Sequence, residues 1–80
     1  MISEQLRLAQ QAVPFQPFTI HLPDGRELHV PHRDFLSVSP NGRIATVYHE
    51  NDTASIIDVL LVTELELHPT QLPDSGRNGS

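Results

Sequence analysis

The sequence predicts a mainly β (α+β) domain: a short N-terminal helix followed by a five- to six-stranded antiparallel meander that curls into a small barrel or half-barrel. Three observations predict it. Apolar residues near the N-terminus recur at helical spacing, whereas after residue 17 they mostly alternate with polar ones. Two Pro-Asx-Gly turns, at 23–25 and 40–42, and a polar turn at 50–53 divide the alternating runs. Tight turns of this kind join antiparallel neighbours, so successive runs pair in order.

The helix comes first. In "SEQLRLAQQAV" Ser3 is a good N-cap and Glu4 lies in the first turn, where the helix dipole favours an acid. Ile2, Leu6, Ala9 and Val13 form the apolar stripe, and Pro14 disfavours helical backbone at the residue before it. A helix over about 2–13 is too short to hold alone in water, so it must lie on an apolar surface. "PFQPF" then runs extended and carries Phe15 and Phe18 into the core.

The first hairpin is the best determined part. A two-residue turn at Asp24-Gly25 would place Leu22 opposite Glu27 and Ile20 opposite His29, mixing polar and apolar residues on both faces. A three-residue loop, with Pro23 and Asp24 in a type I turn and Gly25 left-handed, forms a bulge instead. It gathers Phe18, Ile20, Leu22, Leu28 and Val30 on one face, and Thr19, His21, Glu27 and His29 on the other. A slip of one residue would exchange the faces, so the pattern selects this register.

Pro31 interrupts the ladder, and "PHRDF" bends the chain. "FLSVS" and "RIATVYH" flank the second turn with two registers open: Val38 opposite Ile44, or Leu36 opposite Val47. After the turn at 50–53, "ASIIDV" resumes as a strand. "LLV" fits a single 3₁₀ turn. "TELELH" then alternates, with Leu65 and Leu67 on one side and Glu64 and Glu66 on the other. The folding unit is thus one small domain over 1–68. Residues 69–80, rich in Pro, Gly, Ser and Asn, are expected to be a disordered tail.

With 80 residues, the chain is a single domain that buries about 60% of the surface its unfolded chain exposes. A core this thin is commonly supplemented by disulfides, metal or oligomerisation. There is no cysteine, which excludes disulfides and thiolate metal sites. The net charge of −5 comes from ten acids against five arginines (Arg7, Arg26, Arg33, Arg43 and Arg77) with no lysine. The arginines form no run, which argues against a nucleic-acid partner. The longest apolar run is "VLLV" at 59–62, far short of the ~20 residues needed to cross a membrane. Glu4 and the lack of a basic region before an apolar stretch predict no signal peptide, and a cytoplasmic location is expected.

Candidate binding residues are His21, Glu27, His29 and His32. The first three project from one face of adjacent strands, and two imidazoles with a carboxylate are a donor set for a divalent metal such as zinc. The competing expectation is a solvated face on which His21 pairs with Glu27 across the ladder. His32, with Arg33 and Asp34, sits in the bend between strands, where loop residues carry function more often than strand residues do. No catalytic residue is assigned: Ser37 and Ser39 lie in a strand without a nucleophile motif, and Gly25 and Gly42 are single turn glycines. No cofactor is called for, and no enzyme is expected. "IIDVLLV" at 56–62 holds more apolar residues than one strand face needs; part of it is a candidate subunit contact, the alternative being that the centre of the barrel absorbs these residues.

Two resemblances follow from these segments. Helix, meander, 3₁₀ turn and short last strand are similar to the Sm-like small barrel, and "FTIHLPDGRELHV" resembles its opening hairpin. The glycine-bearing segment near the last strands that lines an RNA pore in that family is absent here. Pro14, Phe15, Pro17, Phe18, Ile20, Leu22, Asp24, Gly25 and Arg26, then Val30, His32 and Phe35, resemble a motif of short bacterial proteins with no established activity. That resemblance implies a bacterial source and an autonomous small domain, and transfers no functional residue. The expectation is therefore a non-enzymatic interaction or scaffolding domain with a protein partner, a second copy of itself included. The alternatives are a nucleic-acid-binding barrel or a histidine-based metal-binding protein.

Overall fold

The computed structural model describes residues 2–68. Helix α1 spans Ile2–Gln11. Strands β1 (Phe18–His21) and β2 (Glu27–Val30) form the first hairpin, and a 3₁₀ turn follows at Arg33–Phe35. Strands β3 (Leu36–Val38), β4 (Ile44–Tyr48) and β5 (Ala54–Asp58) come next, then a 3₁₀ turn at Val59–Leu61 and β6 (Glu64–Leu67). The tail expected at 69–80 lies outside the described residues.

The strands form two antiparallel sheets of three, ordered β2-β1-β6 and β3-β4-β5. They do not close into one barrel. Pro31 has no N–H to donate, and the 33–35 turn separates β2 from β3, so the ladder breaks there. The 59–61 turn then carries the chain away from β5, and β6 pairs with β1 instead. The last strand thereby departs from a simple meander.

The first hairpin adopts the bulged register. Phe18 lies opposite Val30, Ile20 opposite Leu28 and His21 opposite Glu27. The Leu22 N–H donates to the Arg26 carbonyl, the Gly25 N–H donates to the Leu22 carbonyl, and Gly25 takes φ of 91°. The second hairpin resolves to Leu36 opposite Val47, closed by the Ser39 N–H on the Ile44 carbonyl. This register turns Leu36, Val38, Ala45 and Val47 inward and leaves Ile44 outside. The Ser39 hydroxyl and the Asn41 side-chain oxygen accept the turn amides of Arg43 and Ile44, which favours the wider loop.

The core joins Leu6 of α1 to Phe18, Ile20, Leu22, Leu28 and Val30 of the first sheet. From the second sheet and the turn after it come Leu36, Ala45, Val47, Ile57 and Val59. Phe18 is fully buried, while Phe15 packs partly against the core with the Arg33 guanidinium over its ring. The helix differs from expectation at both ends. Ser3 sits within the first turn, and Val13 lies past the last turn, exposed, because Pro14 bars helical backbone there. Arg7 fastens α1 to the second hairpin by donating to the Ser39 and Pro40 carbonyls at 2.6 and 2.8 Å. No helix among the described residues is long and apolar enough to cross a membrane.

Candidate functional site

The outer face of the first sheet carries the histidines. Strand alternation places Thr19 and His21 of β1, Glu27 and His29 of β2, and Glu64 and Glu66 of β6 on this face. His21 sits in the middle strand and so meets acids from both sides. Its Nε2 is 2.8 Å from Glu66 Oε1, and its Nδ1 is 3.9 Å from Glu27 Oε2. The expected partner Glu27 is therefore the more distant one, and Glu66 makes the hydrogen bond.

The hydrogen bond to Glu66 holds the His21 imidazolium form and raises its pKa above the ordinary 6.5; Glu64 and Glu27 add to this, against a smaller opposing effect of burial. Glu66 is lowered in turn, first by the His21 hydrogen bond and then by the field of His68. At the hairpin tip, the Arg26 backbone N–H and guanidinium lower the Asp24 carboxyl.

His29 does not join His21. Its Nδ1 lies 3.4 Å from the Thr19 hydroxyl, which also contacts His68 Nε2 at 2.9 Å, and the two imidazole rings are 5.9 Å apart. The face thus divides into two local networks, His21 with the acids and Thr19 with two histidines. Among the described residues, no three His, Cys, Asp or Glu side chains are placed to hold a metal ion. Thr19 is buried under its own partners.

His32 stands apart. It precedes the 33–35 turn with an extended backbone, its carbonyl accepts the Phe35 N–H, and its ring lies 5.9 Å from the Phe35 ring. Sequence reasoning placed Thr19 on this face but missed Glu66 and His68 as its members. The alternation of Glu64 and Glu66 was visible; the pairing of β6 with β1, which brings them to His21, spans more than forty residues and has no local signal.

The second feature is apolar. One groove of about 380 Å³ runs between α1 and β6, lined by Leu8, Ala9, Ala12, Leu65 and Leu67 with glutamines at its rim. Further exposed apolar side chains lie on the outer face of the second sheet and on the turn after it. Ile44 and Ile56 are diagonal neighbours on the outer face of β4 and β5, 50% and 73% exposed. Leu60 and Leu61 of the following turn are 57% and 55% exposed. The "IIDVLLV" run thereby splits: Ile57 and Val59 enter the core, while Ile56, Leu60 and Leu61 face solvent.

No protein-family model, no curated protein and no solved structure matches the chain.

Proposed function

We propose that the protein is a small non-catalytic interaction domain of the cytoplasm that associates with copies of itself. The observation that carries this is the grouping of Ile44, Ile56 and Leu61, each at least half exposed, along grooves that share Ile56 at the edge of the second sheet. Single exposed apolar residues are ordinary, whereas a contiguous group marks a surface that another chain covers. A thin core without cysteine adds a reason for association, because burying more apolar area against a second chain supplements it. The absence of cysteine also accords with a reducing compartment.

A nucleic-acid partner is disfavoured by more than the net charge. Arg7 is engaged with the Ser39 and Pro40 carbonyls, Arg26 with Asp24 and Arg33 with the Ala12 carbonyl. Phosphate binding at these three arginines would compete with contacts that organise the turns and fasten the helix.

The test is the mass in solution over a concentration series. Light scattering or sedimentation is expected to rise from the 8.9 kDa monomer toward a multiple of it by about 100 µM, the range where a small interface is populated. A monomer mass throughout overturns the proposal.

A further inference from the structure

Four strands of the two sheets have a side without a strand partner: β2, β6, β3 and β5. Three of these edges are unsuited to a second copy. β3 is three residues long, and the Gln10 side chain from α1 caps its Leu36 carbonyl. β2 packs beside β4 of the other sheet. β6 carries Glu64 and Glu66. Antiparallel pairing of two β6 strands centred on Glu66 or Leu65 places Glu66 against its own copy, or Glu64 against Glu66, and like charges directly opposite repel.

β5 differs. The His49 N–H bonds the Thr53 carbonyl, and the Val59 N–H bonds the Arg43 carbonyl. Antiparallel alternation therefore directs residues 53, 55, 57 and 59 toward β4, and the N–H and C=O groups of Ala54, Ile56 and Asp58 away from it. No described strand pairs with this edge. A groove of about 310 Å³ lies beside it, with Ile56 and Asp58 on one side and Pro23, Asp24, Arg26 and Leu61 on the other. β5 has no lysine, proline or bulge of the kind that guards an exposed edge.

We infer that two copies of this chain join β5 to β5 across a two-fold axis through Ile56, fusing their second sheets into one six-stranded antiparallel sheet. This rests on the self-association proposed above and names its surface. The strand "ASIID" is centred on Ile56. With Ile56 opposite the Ile56 of the other copy, Ala54 falls opposite Asp58, and each of these pairs exchanges both backbone bonds. No like charges meet along the strand. The two isoleucines pack across the axis, and each Asp58 faces a methyl group. Such an interface is isologous and closes at two chains, so it does not propagate into fibres.

The test uses the full chain and side chains that the monomer leaves in solvent. Wild type is expected to be a dimer at about 100 µM. Ile56→Glu and Ile56→Lys each place a charge against its own copy. Each is expected to weaken dimerisation by about tenfold or more, with the far-UV spectrum unchanged. An equimolar mixture of the two is expected to recover a heterodimer, because only a two-fold axis at this residue sets Glu against Lys. In parallel, amide exchange at Ala54 and Ile56 in the wild type is expected to quicken on dilution, a measurement that does not depend on either variant folding. A wild-type dimer unaffected by both substitutions, with dilution-independent exchange at these amides, overturns the β5 contact while leaving self-association standing. Monomeric variants that fail to form a heterodimer on mixing overturn the axis at Ile56. A monomeric wild type overturns both inferences.

Discussion

Gly42→Ala should destabilise the protein by about 2–5 kcal/mol, in two separable parts. Gly42 has φ of 75° in the left-handed region, where an alanine costs about 1–2 kcal/mol. A Cβ there would also sit 3.0 Å from Ser3 Cβ and 3.3 Å from Ser3 Oγ. Those are atoms on the first turn of α1, and the helix has little room to retreat, because Arg7 holds it to the Ser39 and Pro40 carbonyls of the same turn. Overpacking against such a neighbour adds about 1–3 kcal/mol. Gly25→Ala is the control. Its φ is 91°, and nothing lies within 4 Å of the added methyl, so only the backbone part remains. Urea unfolding of both variants, followed by far-UV circular dichroism, separates the parts. Adding Ser3→Gly to Gly42→Ala should restore about 1 kcal/mol relative to the same substitution in wild type. If Gly42→Ala costs no more than Gly25→Ala, the close approach of turn and helix is refuted.

Leu6 is the one fully buried side chain of α1, so Leu6→Ala should cost about 2–5 kcal/mol in the same unfolding assay. Arg7→Met keeps much of the aliphatic stem and removes both hydrogen bonds to the turn; a loss of about 1–2 kcal/mol is expected, detaching helix from hairpin without opening the core. His21 should titrate above 6.5 by NMR, and Glu66→Gln should bring it back toward that value. Because its folded pKa is raised, the His21 contribution to stability is complete below 6.5 and disappears as pH rises through the folded value. Glu66 is lowered, so its contribution is present above 4.5 and is lost as pH falls through its folded value. The bridge therefore stabilises most between 4.5 and 6.5, and His21→Gln should flatten the pH dependence of the unfolding midpoint on both sides of that window.

The parts of the fold legible in the sequence are those fixed by neighbours. Pro23, Asp24 and Gly25 determine a loop, the loop determines a register, and the register sorts Phe18, Ile20, Leu28 and Val30 from Thr19, His21, Glu27 and His29. The 3₁₀ turn after β5 is legible because "LLV" is too short for a helix, although it starts at Val59, one residue earlier than expected. The second hairpin was not determined, because "PNG" admits both registers until the side chains of Ser39 and Asn41 are seen to hold the turn amides. The two separate sheets were not determined either. Whether β6 returns to β1 or continues from β5 depends on how the chain turns at Val59–Leu61, and alternation reads the same in both cases. The candidate site follows the same division. The face that His21, Glu27 and His29 share was readable, while Glu66 and His68 reach it only through the long-range pairing.

The outer faces of the two sheets have opposite characters. On the first sheet, polar side chains satisfy one another: His21 with Glu66, Thr19 with His29 and His68. A partner there would have to desolvate charged groups and break bonds already made, for little gain. On the second sheet, Ile44 and Ile56 have nothing to lose on leaving water, and the β5 amides beside them gain bonds on pairing. A chain selected only to remain a monomer would place its charge where the backbone is open. Here two acids lie on β6, whereas the β5 edge is centred on Ile56 and carries a single acid, Asp58, at its end. In the proposed dimer, that distribution would make association selective, disfavouring a second copy at the β6 edge relative to the β5 edge.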